Sequence, residues 1–236
     1  MPRPLKPFFA ENGIEIYHGD CLEILPRLTA KKFDLVLTDP PYLFKAGVGG
    51  GGLKAKIFDD PKFLTMCNFD PQAFLAGVAE LQPRLNLVAT CSRDLVPLYA
   101  RMALEARWEF DVHVWHKPNA PPFTHGTFKS DVEYITLLYK LPRPFRQGYP
   151  SAHYSKVFTH GTMRGKKYHV TQKPLELMKK YASILCPVGG RLLDPFMGSG
   201  TTLVAAQELG LSAVGIERDK SDCKNAVDRL RAARKE

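Results

Sequence analysis

Nothing in this 236-residue sequence approaches the run of ~20 apolar residues that a membrane-spanning helix needs, so no membrane partner is expected. The N-terminal Met1-Pro2-Arg3-Pro4 lacks the apolar stretch of a secretory leader. Five cysteines, at 21, 67, 91, 186 and 223, include no Cys-x-x-Cys pair. Such a scattered, odd set fits a reducing cytoplasm with buried or free thiols. His113 and His116 stand three apart in a strand-like run, where they face opposite sides, so no metal site is expected. The dinucleotide fingerprint Gly-x-Gly-x-x-Gly is missing, because position 203 is Leu. The phosphate-cradling loop is missing too, because no Lys-Ser/Thr follows Gly200.

What is present starts with charge. The formal net charge is +9, and it is not spread evenly. Residues 1–140 carry 16 basic and 16 acidic side chains, whereas residues 141–180 carry nine basic and one acidic. A local excess of this kind is the electrostatic footprint of a polyanion contact, although a solvated basic loop would look the same. The candidate phosphate contacts are Arg143, Arg146, Lys156, Arg164, Lys166 and Lys167. Hydrophobic residues make up 44% of the chain, enough for one large core and against wholesale disorder.

Strand-like runs at 14–17, 33–38, 85–90, 112–116, 134–140, 191–194 and 213–217 alternate with helical stretches at 21–30, 71–83, 94–106, 174–186, 201–209 and 219–234. That alternation predicts an α/β fold, a doubly wound and mainly parallel sheet in one domain spanning 1–236. Ligands of such sheets sit at the C-terminal strand ends. Two segments fall outside the pattern. Residues 45–56 hold a glycine-rich loop, with five glycines between 47 and 52, suited to a lid or to an inert linker. Residues 141–170 read as a short, basic, irregular insertion.

Two motifs carry the chemistry. Thr38-Asp39-Pro40-Pro41-Tyr42 follows a buried strand. A base amino group is a weak nucleophile, and an acceptor that bonds its N–H groups drains charge as an electrophile arrives. Asp39 supplies a carboxylate and Pro40 a carbonyl. Pro41 keeps that carbonyl turned outward, and Tyr42 offers a ring for stacking, worth roughly 1–3 kcal/mol. These four are the candidate catalytic residues, and Asp39 is also a candidate at the cofactor. Near the other end, Asp194-Pro195-Phe196-Met197-Gly198-Ser199-Gly200-Thr201-Thr202 links a strand to a helix. Its glycines let the backbone approach a ligand, and Glu217, ending the next strand, can accept both hydroxyls of a ribose. With the dinucleotide and triphosphate fingerprints absent, a nucleoside cofactor without pyrophosphate fits this turn. Candidates are Asp194, Phe196, Met197, Gly198, Ser199, Gly200 and Thr201 here, Glu217 and Arg218 beyond it, and Asp20-Cys21 after the first strand. Together the motifs point to methyl transfer from S-adenosylmethionine to a base amino group.

The order of these motifs resembles the β class of amino-group DNA methyltransferases, in which Asp-Pro-Pro-Tyr precedes Phe-x-Gly-x-Gly. Gly19-Asp20-Cys21-Leu22, Trp115-His116-Lys117-Pro118 and Thr171-Gln172-Lys173-Pro174 extend the match over about residues 14–230. The resemblance implies a seven-stranded Rossmann-like methyltransferase sheet with circularly permuted motifs. It implies S-adenosylmethionine as cofactor and S-adenosylhomocysteine as product, with no metal. Asp39, Pro40 and Tyr42 would hold a base flipped out of double-stranded DNA. Phe196, Gly198 and Gly200 would line the methionine side, Glu217 would bind the ribose, Asp20 the adenine amino group, and Lys173 would sit near the methionine end. Residues 141–170 would recognise the target. Members often dimerise, so a homodimer is expected. The setting would be the cytoplasm of a bacterial or phage-infected cell. Any restriction activity would belong to a separate endonuclease, and a stand-alone or phage-borne methylase would have none. An acid at the catalytic position signals N6 of adenine in this class, and Ser signals N4 of cytosine. C5-cytosine chemistry needs Pro-Cys, and the chain has only Cys186-Pro187. N4-cytosine methylation, RNA methylation and non-catalytic DNA binding remain the alternatives.

Overall fold

The computed structural model of the chain describes residues 5–28, 32–41, 69–120, 128–162 and 172–234. Tyr42, the glycine-rich loop at 45–56, Cys67, Arg164, Lys166, Lys167 and Thr171 lie outside them.

All seven expected strands form. They are β2 (Ile14–His18), β3 (Leu35–Thr38), β4 (Asn86–Cys91), β5 (Glu109–His116), β6 (Val132–Tyr139), β8 (Arg191–Asp194) and β9 (Ser212–Glu217). Two three-residue strands, β1 (Phe9–Glu11) and β7 (Val157–Thr159), extend the sheet at its edges and were not expected. Three residues are too few to show an alternating pattern, and β7 falls inside the segment read as an irregular insertion. The order is β1-β2-β9-β8-β3-β4-β6-β5-β7. The five strands from β2 to β4 run parallel, and β6 is antiparallel to both its neighbours.

Period-two alternation puts an apolar side chain on both faces of the central strands, and helices cover both. Leu35, Leu37, Val88, Ile135, Leu137 and Leu192 pack on one face under α4 (Leu175–Leu185), α5 (Thr201–Glu208) and α6 (Lys220–Ala232). Val36, Leu87, Ala89, Leu138, Leu193 and Val214 pack on the other under α1 (Cys21–Ile24), α2 (Pro71–Glu80) and α3 (Leu95–Glu105). This is the doubly wound arrangement. Three of the helices start on an aspartate side-chain cap. Asp20 accepts from Leu22 N–H at 2.8 Å, Asp70 from Gln72 N–H at 2.9 Å, and Asp219 from Ser221 N–H at 2.7 Å.

Candidate active site

Strands β3 and β8 are neighbours in the sheet although 156 positions separate Thr38 from Asp194. Their C-terminal ends deliver the two motifs side by side, and the Thr38 hydroxyl donates to Asp194 Oδ1 at 2.6 Å across the join. Asp194 is 2% exposed. Burial lifts its pKa to about 6, against lowering hydrogen bonds from the Thr202 and Thr38 hydroxyls and the Phe196 N–H. From the ordinary value of 3.8 up to about 6, the folded chain keeps a proton that the unfolded chain has lost. This group therefore makes folding stability fall as pH rises through that window. Asp194→Asn should flatten that slope, which urea unfolding at several pH values would measure.

The turn after β8 is shaped by its glycines. Gly198 (φ +50°) and Gly200 (φ +81°) both occupy the left-handed region. Among the described residues, a Cβ on Gly198 would meet nothing within 4 Å. Behind the loop the fit is tight. A Cβ on Gly200 would lie 2.8 Å from Ala226 Cβ, and one on Gly215 would lie 2.4 Å from Met197 Sδ. Phe196 closes one side, packing at 5.4 Å on Phe69 and 5.3 Å on Phe74. Glu217, at the end of β9, accepts from Gly198 N–H at 3.1 Å and from Asp219 N–H at 2.7 Å. Burial raises its pKa. Gly19 N–H donates to the Glu217 carbonyl at 2.9 Å, which draws the β2 end and Asp20 to the same rim. Arg218 reaches Asp20 at 3.9 Å. Cys21, by contrast, turns into the core, where burial pushes its thiol up to about 12.

Asp39 is held on both oxygens. The Thr90 hydroxyl donates to Oδ1, and the Lys173 ammonium donates to Oδ2 at 2.7 Å. Lys173, expected beside a cofactor, thus lies against the candidate catalytic carboxylate. It is 6% exposed and also pairs with Glu133 at 2.9 Å. Burial works against its charge, but the Asp39 and Glu133 carboxylates outweigh burial and raise its pKa.

Of the candidate basic residues, the described Arg143, Arg146 and Lys156 do not gather here. Tyr139 at the end of β6 pairs with Asn86 at the start of β4, so the chain leaves the sheet at the opposite end from Asp39. Arg143 folds over the Tyr139 ring at 3.5 Å, and Arg146 N–H bonds Ile184 O at 2.8 Å near the end of α4. Lys156 pairs with Asp111 at 2.6 Å. Of the six candidate phosphate contacts, these three stand apart from the site.

Three residues now belong to the site that motif reading missed. Glu133 and Thr90 hold Lys173 and Asp39. Period two on β6 placed Glu133 in line with Ile135 and Leu137, a carboxylate at the top of a buried row. Arg229 lies 8% exposed on α6 and donates to Ser199 O (2.7 Å), Ser199 Oγ (3.0 Å) and Thr201 Oγ1 (3.1 Å). Its signal was a cation three residues after Ala226 and one before Leu230, on the buried stripe. Arg229→Met should cost about 2–4 kcal/mol in urea unfolding, because it removes charged donors from buried loop acceptors.

A family profile described as DNA methylase matches residues 33–228. The chain is similar to the Type II methyltransferase M2.DpnII of Streptococcus pneumoniae, 28% identical over 254 aligned positions that cover 96% of this chain and 93% of the relative. It is similar to M2.LlaDCHI of Lactococcus lactis subsp. cremoris at 27% over 252 positions, covering 95% and 92%. Among solved structures, M1.HpyAVI in complex with SAM superposes with a TM-score of 0.70 at 29% identity, covering 92% of this chain and 100% of that one. The cytosine-N4-specific PvuII DNA methyltransferase shares the fold, with a TM-score of 0.69 at 16% identity over 97% and 93% of the two chains.

Proposed function

Since the chain belongs to the DNA methylase family, we propose that it moves a methyl group from S-adenosylmethionine to the N6 amino group of adenine in double-stranded DNA. The observation that carries the reading is Asp39. An ionisable carboxylate, gripped by Thr90 and Lys173, ends the strand beside the glycine turn. In the class this chain resembles, an acid at that position goes with adenine.

The residues present fit the cofactor. No described residue would meet a Cβ on Gly198, and two backbone N–H groups hold the Glu217 carboxylate at the loop's edge. Glu217 would take the ribose hydroxyls, Asp20 the adenine amino group, and the Phe196–Gly200 turn the methionine portion. S-adenosylmethionine, when bound, supplies an electrophilic methyl group. The protein's own part is to present the nucleophile. Reaching an adenine in a duplex requires the base to leave the stack. Asp39 and the Pro40 carbonyl would accept its amino N–H groups, draining charge as the new bond forms, and Asp39 would receive the displaced proton. Tyr42 would stack on the base. The Type II names of the relatives support a restriction–modification setting, with cleavage left to a separate endonuclease.

The test is to incubate the purified chain with S-adenosylmethionine and unmethylated genomic DNA, digest to nucleosides and identify them by mass spectrometry. N6-methyladenine is the expected product. N4-methylcytosine alone would move the reading to the other base, and labelling of structured RNA but not DNA would overturn the DNA substrate.

A further inference from the structure

We infer that Glu133 is a positioning residue for methyl transfer: by anchoring Lys173 it fixes the direction in which the Asp39 carboxylate faces its target amino group. The inference rests on the proposed role of Asp39 and adds a residue that lies in none of the sequence motifs.

The placement follows from strand periodicity. Asp39 continues the row of Leu35 and Leu37 on β3, Thr90 the row of Val88 on β4, and Glu133 the row of Ile135 and Leu137 on β6. All three therefore rise from the same face, the one that α4 covers. Lys173 stands just before α4, and its ammonium comes down onto that polar row. The cluster continues outward, since the second Glu133 oxygen meets Lys117 at 3.4 Å and Lys117 lies 5.3 Å over the Trp115 ring. Two carboxylates and two ammonium groups thus balance at the active-site end of an otherwise apolar layer.

Geometry makes Glu133 the fixed point. β6 pairs with β5 over its whole length and with β4 from Tyr134 to Tyr139, and Glu133 itself pairs directly with Trp115 on β5. Its side chain is 13% exposed and bridges two cations, so it is held from three directions. Lys173, on a long flexible stem, takes its position from this anchor and passes it to Asp39 Oδ2, while Thr90 fixes Oδ1. One donor on each oxygen sets the plane of the carboxylate. Charges are costly to bury, and an apolar layer of equal volume would be at least as stable. The cluster is therefore better explained by orientation than by stability.

The experiment uses the full chain as wild type, Glu133→Gln and Glu133→Asp. Glu133→Gln should lower kcat for methyl transfer by about 10- to 100-fold, the cost of misplacing a reacting group by a fraction of an ångström to an ångström. Dissociation constants for S-adenosylmethionine, by calorimetry, and for DNA, by fluorescence anisotropy, should stay within about 3-fold. Glu133→Asp, which keeps the charge, should recover part of kcat. It also stands in for the Gln variant if that one fails to fold. An unchanged kcat overturns the inference. So does a loss of cofactor affinity in step with kcat, which would assign Lys173 to the cofactor. A second readout needs no turnover. In a double-mutant cycle on urea unfolding, Glu133→Gln and Asp39→Asn should be non-additive by about 3-fold or more in the unfolding constant, because both carboxylates share Lys173. Additivity overturns the inference, whereas a wild type that methylates nothing overturns the proposed function and leaves this cycle decisive.

Discussion

Asp39→Asn should reduce methyl transfer by about 10³-fold or more while leaving the cofactor dissociation constant within a few-fold. The substitution keeps the shape of the side chain and an oxygen for the Thr90 hydroxyl, but removes the charge that, in the proposed function, would face the attacking amino group. Removing one preorganised electrostatic partner costs on the order of 10²–10³ in turnover, and losing a proton acceptor costs a comparable factor, though the two losses at one residue do not simply multiply. Lys173 stays charged beside Glu133, so the fold should survive. Single-turnover labelling of DNA with calorimetry on the same preparation makes the test. A tenfold or larger loss of cofactor affinity would show that the carboxylate belongs to the cofactor site instead.

The second large effect is expected at Gly200. Alanine there would force a side chain into the left-handed region, at about 1–2 kcal/mol. It would also drive a Cβ to 2.8 Å from Ala226 Cβ and 3.3 Å from its Cα, where a helix backbone cannot swing aside. With overpacking added, Gly200→Ala should cost about 2–4 kcal/mol in urea unfolding and weaken cofactor binding about tenfold or more. Gly198→Ala is the informative contrast. It carries the backbone cost without that clash, since no described residue lies within 4 Å of its Cβ. Its stability should fall less, and its effect should appear mainly in binding, because the new methyl occupies the ground in front of the loop. Equal stability losses for the two variants would show that the clash behind Gly200 relaxes.

The large elements were legible because their periodicity is strong. The short apolar runs at 33–38 and 85–90, bounded by polar or turn residues, fit buried central strands, and they form Leu35–Thr38 and Asn86–Cys91. The two motifs were legible because turns between strand and helix need particular residues. The partners of those motifs were not. Glu133, Thr90 and Arg229 act through contacts between elements far apart in sequence, and a lone acid or threonine at a strand end carries no local pattern. The surroundings of the basic segment were not legible either. Composition locates charge in the sequence but not in space, and no local pattern announced that Arg143 would lie over the Tyr139 ring or that Lys156 would pair with Asp111. Lys173 shows both sides: its importance was readable from its motif, its partner was not.

The strand order also dictates how the molecule can assemble. Among the described strands, β1 and β2 join the sheet only through β9, and β9 reaches the β3–β4–β6–β5–β7 portion only through β8. As the chain leaves the ribosome, its first 190 residues therefore hold the two margins of a sheet with no middle. The last strands to be made, at 191–194 and 212–217, must slide in as the keystone. Pairings this distant in sequence close slowly, and open strand edges wait meanwhile for any partner. Asp39 and the glycine turn meet only when that keystone is in place. A nascent or truncated chain that stops short of β8 would hold the first motif beside an exposed edge of β3, prone to aggregate and unable to act on a base.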